Sequence, residues 1–482
     1  MALGTRKDIT LLGQDIQVMR RHLGPVHITI FGIGGAIGAG IFVLSGTVAA
    51  NMAGPAVALS FALAALACLC AALCYAEFAS LISVSGSAYT YAYATMGEFT
   101  AWLIGWTLIL EYLFSASTIA VGWSGYITAF LTELHIPFPA LVASAPFKVM
   151  PGVGLVASGT LINAPAVALI AAMTGLLTIG IRESAFASVL LVSLKIGVIL
   201  LVVGFGAAYV DTNNWRPFIP DNSGQWGHFG ASGVLRGAAV VFFAYAGFDA
   251  VSTTSLEARN PKRDVPIGLI ASLMITSLIY VAMCLVVTGL TSYTNLSVPQ
   301  PIFVAIDAVG AKLAWLAPLV NIAAILGLAS STLVAFYGQT RVFYAMSADG
   351  LLPPFFSTLH ARFRTPYRGT LLVGALIAMV AGVLPIETLG ELAAAGTLLA
   401  FAIVCTGILV LRQRSPDLPR PFRTPFSPLV PLVGILSCVG LLFTLPLAAW
   451  IRLLVWMAIG LLVYWMYSRH HSVAGAALSR VT

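Results

Sequence analysis

Apolar residues in this chain gather in long runs rather than in alternating or short patterns. Reading runs of roughly 18 to 25 residues, the length a helix needs to cross a hydrocarbon core, bounded by charge, Pro and Gly, predicts spans near 26–51, 55–82, 98–131, 160–181, 185–210 and 232–257. Six more follow near 266–290, 313–340, 368–384, 386–410, 428–447 and 449–467. The pattern predicts an all-α polytopic membrane protein with 12 transmembrane helices and both termini on one side. The segments 132–159 and 211–231 hold Pro, Gly, Asn and Trp instead of a further span, and are expected to cover an external mouth. The run 301–310 is apolar but too short to cross, which suits a helix at the interface.

Charge placement tests the count, because Lys and Arg concentrate in alternate, cytoplasmic loops. Of the 24 basic residues, only Lys148, Arg216, Arg236, Lys312 and Arg452 fall on the side away from the termini, and Lys195 lies within a span. The asymmetry supports twelve spans with cytoplasmic termini. The composition agrees: 59% hydrophobic, 9% charged, mean hydropathy +0.97. A net charge of +7 in such a chain sets topology and does not call for nucleic acid. Cys68, Cys70, Cys74, Cys284, Cys405 and Cys438 all sit in apolar runs without disulfide or zinc spacing. Residues 1–23 lack an apolar core, so no cleavable signal peptide is expected.

Two spans carry their own interruptions. The first reads GIGGAIGAGIF from Gly32, and the sixth reads FFAYAGFDAVST from Phe242. Unpaired backbone groups cost several kcal/mol in hydrocarbon, so irregular backbone survives where it faces protein, water or a ligand. Gly34 and Gly38, four apart, also satisfy a simple packing seam. A matched pair of broken segments, in positions equivalent under a five-helix repeat, points instead to a midplane binding site. Opening the first span near Gly34 to Gly40 frees amides and a half-helix N-terminus for a carboxylate. Opening the sixth near Phe243 to Gly247 frees carbonyls for an ammonium. Such a pocket fits a zwitterion, and an α-amino acid is the simplest one.

These segments, with EARNPKRDVP (257–266) and YGQTRVFYAMSADGLLP (337–353), resemble the amino acid, polyamine and organocation transporter superfamily, in particular its cationic amino acid transporter branch and bacterial relatives. The resemblance implies a five-plus-five inverted-repeat fold of the LeuT type with unwound helices 1 and 6, and alternating access. It divides the chain into a cytoplasmic segment 1–25, repeats 26–210 and 232–410, two added helices 428–467 and a cytoplasmic tail 468–482. Carried over by position, the carboxylate ligands are the backbone of Ile37, Gly38, Ala39, Gly40 and Ile41. The amino group falls to the carbonyls of Phe243, Ala244 and Ala246, with the Phe243 ring as a gate.

Charged residues inside the spans are the remaining candidates. Lys195 lies ~18 Å along its helix from Glu183, close to the middle of a core about 30 Å thick. A lysine that gains and loses a proton there as the cavity opens would couple transport to protons, whereas the bland alternative is snorkelling. The family resemblance implies bonds from its ammonium to carbonyls near Gly34 and Ile37 and to Ser330 or Ser331. Glu111 either shapes the substrate pocket or holds two helices together. Asp249 either meets a cationic substrate tail or fastens the unwound backbone. Glu77, placed near the inner face at ~34 Å from Gly54, is expected to form a gate ion pair or an exposed polar end.

The expected function is therefore secondary active transport of L-amino acids in the cell membrane, by proton symport, with no cofactor or metal. A sodium-independent exchanger or uniporter for cationic amino acids is the alternative. A small accessory membrane subunit is compatible with the Leu-, Val- and Ala-rich outer surfaces. An enzyme would need a buried catalytic cluster, but His22, His27, His135, His228, His360, His470 and His471 lie mostly in loops or at span ends, and no HExxH, GxSxG or nucleotide-binding P-loop pattern occurs in the spans. A channel would need a repeated filter sequence, which is missing.

Overall fold

A computed structural model describes residues 23–81, 87–150, 154–180, 185–248, 251 and 258–473. Every predicted apolar run carries helix. In chain order the helices are α1 (Pro25–Ala36), α2 (Ser45–Val48), α3 (Val57–Leu81), α4 (Ser87–Thr95), α5 (Glu98–Glu133), α6 (Ala164–Ile179), α7 (Ala185–Gly206) and α8 (Gly230–Val241). They continue as α9 (Pro261–Leu290), α10 (Pro301–Asp307), α11 (Leu316–Ala348), α12 (Tyr367–Val383), α13 (Ile386–Arg414), α14 (Leu429–Thr444), α15 (Leu447–Val463) and α16 (Arg469–His471). Among the described residues, 7 helical stretches are long and apolar enough to cross a membrane, and shorter apolar helices account for the other runs.

One segment departs from the all-α expectation. Residues Phe147–Met150 (β1) and Gly154–Ala157 (β2) pair as an antiparallel hairpin between α5 and α6. Pro and Gly break helical continuity there, and its β-branched and aromatic residues suit a pleated strand.

Local chemistry sets many boundaries. Pro25 and Pro261 open α1 and α9, where a missing amide hydrogen is harmless. The Asn163 side chain accepts from the Ala166 amide at 3.2 Å and caps α6. Gly54, at φ +62°, turns the chain between the first two spans, a conformation that an L side chain rarely adopts.

The long helices pack in a regular relation. α3 lies on α9, α5 on α11 and α6 on α12, so the second, third and fourth predicted spans each contact the span five places later. α1 packs against α9 and α7, while α13 packs on α5, α3 and α14. The twelfth span docks on α5 through tryptophans. Trp106 Nε1 donates to the Trp456 carbonyl at 2.8 Å, Trp456 Nε1 donates to the Trp106 carbonyl at 3.1 Å, and Trp102 Nε1 reaches the Gly460 carbonyl at 3.1 Å. Trp106 lies where a Cβ on residue 460 would stand, so only glycine permits this approach. Gly460→Leu should lower the thermal stability of the detergent-solubilised protein by the ~1–3 kcal/mol typical of overpacking. An unchanged melting curve would show that α15 does not depend on this contact.

Candidate functional site

The two interruptions lie where the sequence places them, and they face one another. α1 stops at Ala36, and Ile37 is extended at φ −71°, ψ 96°. Helix resumes in a wide π turn over Gly40–Leu44. Among the described residues, the amides of Gly38 and Ala39 have no hydrogen-bond acceptor. In the other break, α8 tightens into a 3-10 turn at Phe242–Tyr245, Ala246 is extended at ψ 139°, and Gly247 takes φ +102°.

Contact between the breaks separates the roles of the glycines. A Cβ on Gly35 would stand 2.8 Å from the Gly247 carbonyl oxygen, and one on Gly247 would stand 2.7 Å from the Gly35 oxygen. A Cβ on Gly40 would overlap Ala244, and one on Gly34 would overlap Val192 of α7. These four positions are glycine because another backbone or side chain occupies the Cβ space. Gly38 differs: a methyl there would meet Ser331 at 3.5 Å and Ile119 at 3.9 Å, ordinary contact distances. Close backbone packing and room for a methyl group thus fall on different glycines of one run.

Lys195 reaches this break from α7. It is 1% exposed, and its Nζ donates to Ser331 Oγ at 2.8 Å, to the Ile37 carbonyl at 3.2 Å and to the Gly34 carbonyl at 3.4 Å. Ser331 Oγ donates in turn to the Ile37 carbonyl at 3.0 Å. The ammonium's three donors therefore meet three neutral oxygens. Its stem lies over Gly327, whose added Cβ would come within 3.1 Å of Lys195 Cε. Of the two serines named from the sequence, Ser331 is the partner, and Ser330 bonds back to the Gly327 carbonyl at 2.9 Å.

Sequence reasoning missed Tyr280 of α9. Its buried hydroxyl lies 2.7 Å from the Ala36 carbonyl oxygen and 3.1 Å from that of Ala244, joining the two breaks. The available signal was a tyrosine within the apolar stretch ASLMITSLIYVAM. The Ala244 carbonyl, expected to hold an amino group, thus already faces a hydroxyl, and the Phe243 carbonyl accepts from the Ala246 amide at 3.0 Å. A second lone pair remains on each oxygen. The Phe243 ring and Ile41 are buried at the site. Tyr126 of α5 adds a hydroxyl bond to the Phe42 carbonyl at 2.9 Å.

The other acidic candidates separate. Glu111 is buried on α5, with its backbone 3.1 Å from where a Cβ on Gly396 of α13 would lie. Asp249 lies outside the described residues. Glu77 is fully buried, which corrects the exposed-end alternative. Its Oε1 accepts from Arg412 Nε at 3.1 Å and lies 3.2 Å from Arg420 Nε. Its Oε2 is 2.6 Å from Arg412 and accepts from the Thr424 amide at 2.7 Å. The ion pair joins α3 to the end of α13 and the segment after it; no bond to either helix break is seen among the described residues.

A multi-pass helical bundle in which two broken apolar helices bring backbone donors and acceptors together has the architecture of a membrane transporter. Sequence comparison agrees. Residues 23–472 match the amino acid permease family model. The chain is 44% identical over 455 residues to the branched-chain amino acid permease BcaP of Bacillus subtilis (strain 168), covering 94% of each. It is 42% identical to the methylthioribose transporter of the same organism, over 94% of this chain and 95% of that one. It is 37% identical to the vacuolar cationic amino acid transporter 4 of Arabidopsis thaliana, over 83% of this chain and 64% of that one. The chain belongs to the amino acid permease family, within the amino acid, polyamine and organocation superfamily; it is a transporter and not an enzyme.

Two variant sets check the site. Gly40→Val should lose ~1–3 kcal/mol of stability by forcing the breaks apart, while Gly38→Ala should melt as wild type; equal melting of both would remove the distinction between packing and open glycines. Glu77→Ala removes the buried carboxylate that Arg412, Arg420 and the Thr424 amide share and should cost about 1–3 kcal/mol, read as a fall in melting temperature or loss of the monodisperse peak in detergent.

Proposed function

We propose that the chain is a proton-coupled symporter of neutral L-amino acids, working by alternating access in the cell membrane with both termini cytoplasmic. The contacts of the second span with the seventh, the third with the eighth and the fourth with the ninth favour a five-plus-five inverted repeat. The basic-residue asymmetry favours twelve spans.

In this reading the substrate carboxylate binds the amides of Gly38 and Ala39, with Gly40 and Ile41 completing the cradle. The amino group binds the carbonyls of Phe243, Ala244 and Ala246, and Tyr280 yields the Ala244 carbonyl or shares it. Phe243 closes over the bound molecule. The observation that carries the coupling is the Lys195 ammonium, which ties the first-span break to α7 and, through Ser331, to α11. Loss of its proton removes a donor and the charge that orients three oxygens, so the first span is released from its neighbours. Because substrate and proton act on the same backbone turn, each alters the affinity for the other, as linkage requires. Glu77 with Arg412 and Arg420 acts as a fixed inner anchor against which the breaks move.

The relative named for branched-chain amino acids, together with Ile119 3.9 Å from where a Cβ on Gly38 would stand, favours an aliphatic substrate. A second reading is a neutral thioether sugar, favoured by the relative named for methylthioribose at nearly equal identity.

Proteoliposome uptake of labelled leucine in sodium-free buffer, with arginine and methylthioribose as competitors, tests both. An inward proton gradient should accelerate wild-type leucine uptake, and Lys195→Ala should lose that acceleration while still exchanging leucine. Gradient-independent uptake in both proteins would defeat symport in favour of exchange or uniport, and dominance of arginine would return the cationic substrate.

A further inference from the structure

The segment between α5 and α6 has a composition unsuited to an aqueous loop. From Leu134 to Asn163, Lys148 is the lone Lys, Arg, Asp or Glu, while Ile136, Phe138, Leu141, Phe147, Val149, Met150, Leu155 and Leu161 are large and apolar. The structure leaves them uncovered: Phe147 is 41% exposed, Val149 42%, Leu155 43% and Leu161 69%. Register sharpens this into a face. Phe147 pairs with Ala157 and Val149 with Leu155, so these four side chains project from the same side of the hairpin.

The other external segment behaves differently. Residues 211–231 carry Asp211, Arg216, Asp221 and several Asn, and they dock on the turn between the first two spans, with the Phe229 amide donating to the Met52 carbonyl at 2.7 Å. That segment packs on the C-terminal end of the first span. The hairpin segment instead is anchored at its base to the periphery. The Asn163 amide donates to the Gly382 carbonyl at 2.9 Å, at the outer end of α12. Ile162 packs where a Cβ on Gly382 would lie, and exposed Met379 and Leu376 continue the apolar surface down α12.

We propose that this hairpin is a membrane-interface anchor, with the face bearing Phe147, Val149 and Leu155 lying in the outer leaflet at the boundary of headgroups and acyl chains. Three features select lipid as the occupant. The base sits at the outer ends of α5, α6 and α12, which is where the hydrocarbon ends, and the headgroup layer beyond is only ~5–8 Å thick. Each strand is ~13 Å long, so a hairpin leaning along the surface stays within that layer. The base of the segment packs on α12 through Ile162 and Asn163, beside the exposed Met379 and Leu376, and the lone cation of the segment, Lys148, points from the opposite side of the hairpin, where it can meet anionic headgroups. Polar groups near the base are already satisfied, because Ser158 and Thr160 hydroxyls both donate to the Ala145 carbonyl, at 2.6 and 2.7 Å. The cost of leaving water is lowered accordingly.

Spin labels on Val149→Cys and Leu155→Cys test this in vesicles of phosphatidylcholine and phosphatidylglycerol, with Asp221→Cys as the aqueous control and the unsubstituted protein as background. Collision rates with oxygen, which concentrates in lipid, and with a water-soluble nickel chelate should favour oxygen at 149 and 155 and nickel at 221. Adding Lys148→Glu should shift both hairpin labels toward the aqueous value when phosphatidylglycerol is present. Aqueous readings at 149 and 155 would overturn the proposal, and so would shielding from both agents alike, which would mean that protein covers the face.

Discussion

In a low-dielectric interior an opened helix leaves backbone oxygens and amides that must find partners, and the architecture around the two breaks follows from that requirement. The carbonyls released from α1 are met by side chains from three separate helices: Lys195 from α7, Ser331 from α11 and Tyr280 from α9. None belongs to the broken span itself. The break is therefore stable only in the assembled bundle, and the bundle is held at its centre by the oxygens of the break.

What remains open at the break is as informative as what is satisfied. The carbonyl side of Ile37 is saturated by Lys195 and Ser331, while the amides of Gly38 and Ala39 next to it have no acceptor among the described residues. A permease that recognises the carboxylate common to all amino acids through main-chain amides leaves its side chains free to vary with the substrate.

Side-chain ties also hold the bundle away from the breaks. Glu77 with Arg412 and Arg420 binds α3 to the segment after α13, and reciprocal tryptophan bonds hold the twelfth span on α5. Gly35 meets Gly247 and Gly40 meets Ala244 through backbone and a methyl group. Small surfaces of this kind can separate at less cost than interlocked side chains.

Much of this was legible in the chain. Runs of apolar residues long enough for a bilayer, their basic flanks and the glycines in the first and sixth spans follow from hydrocarbon thickness and backbone hydrogen bonding, which act on local sequence. Lys195 stood out because a charge at mid-depth demands a partner. The choice of Ser331 over Ser330, the part played by Tyr280, the burial of Glu77 and the separation of Gly38 from its packing neighbours belonged to the tertiary structure. Neighbouring serines on one helix differ only in the direction they face, and a tyrosine or glutamate in an apolar run does not announce which distant backbone or guanidinium it will meet. Local sequence thus determined where the helices form and where they fail; the packing of α7, α9 and α11 around the failure decided which groups meet there, because those partners are brought together only by long-range contact.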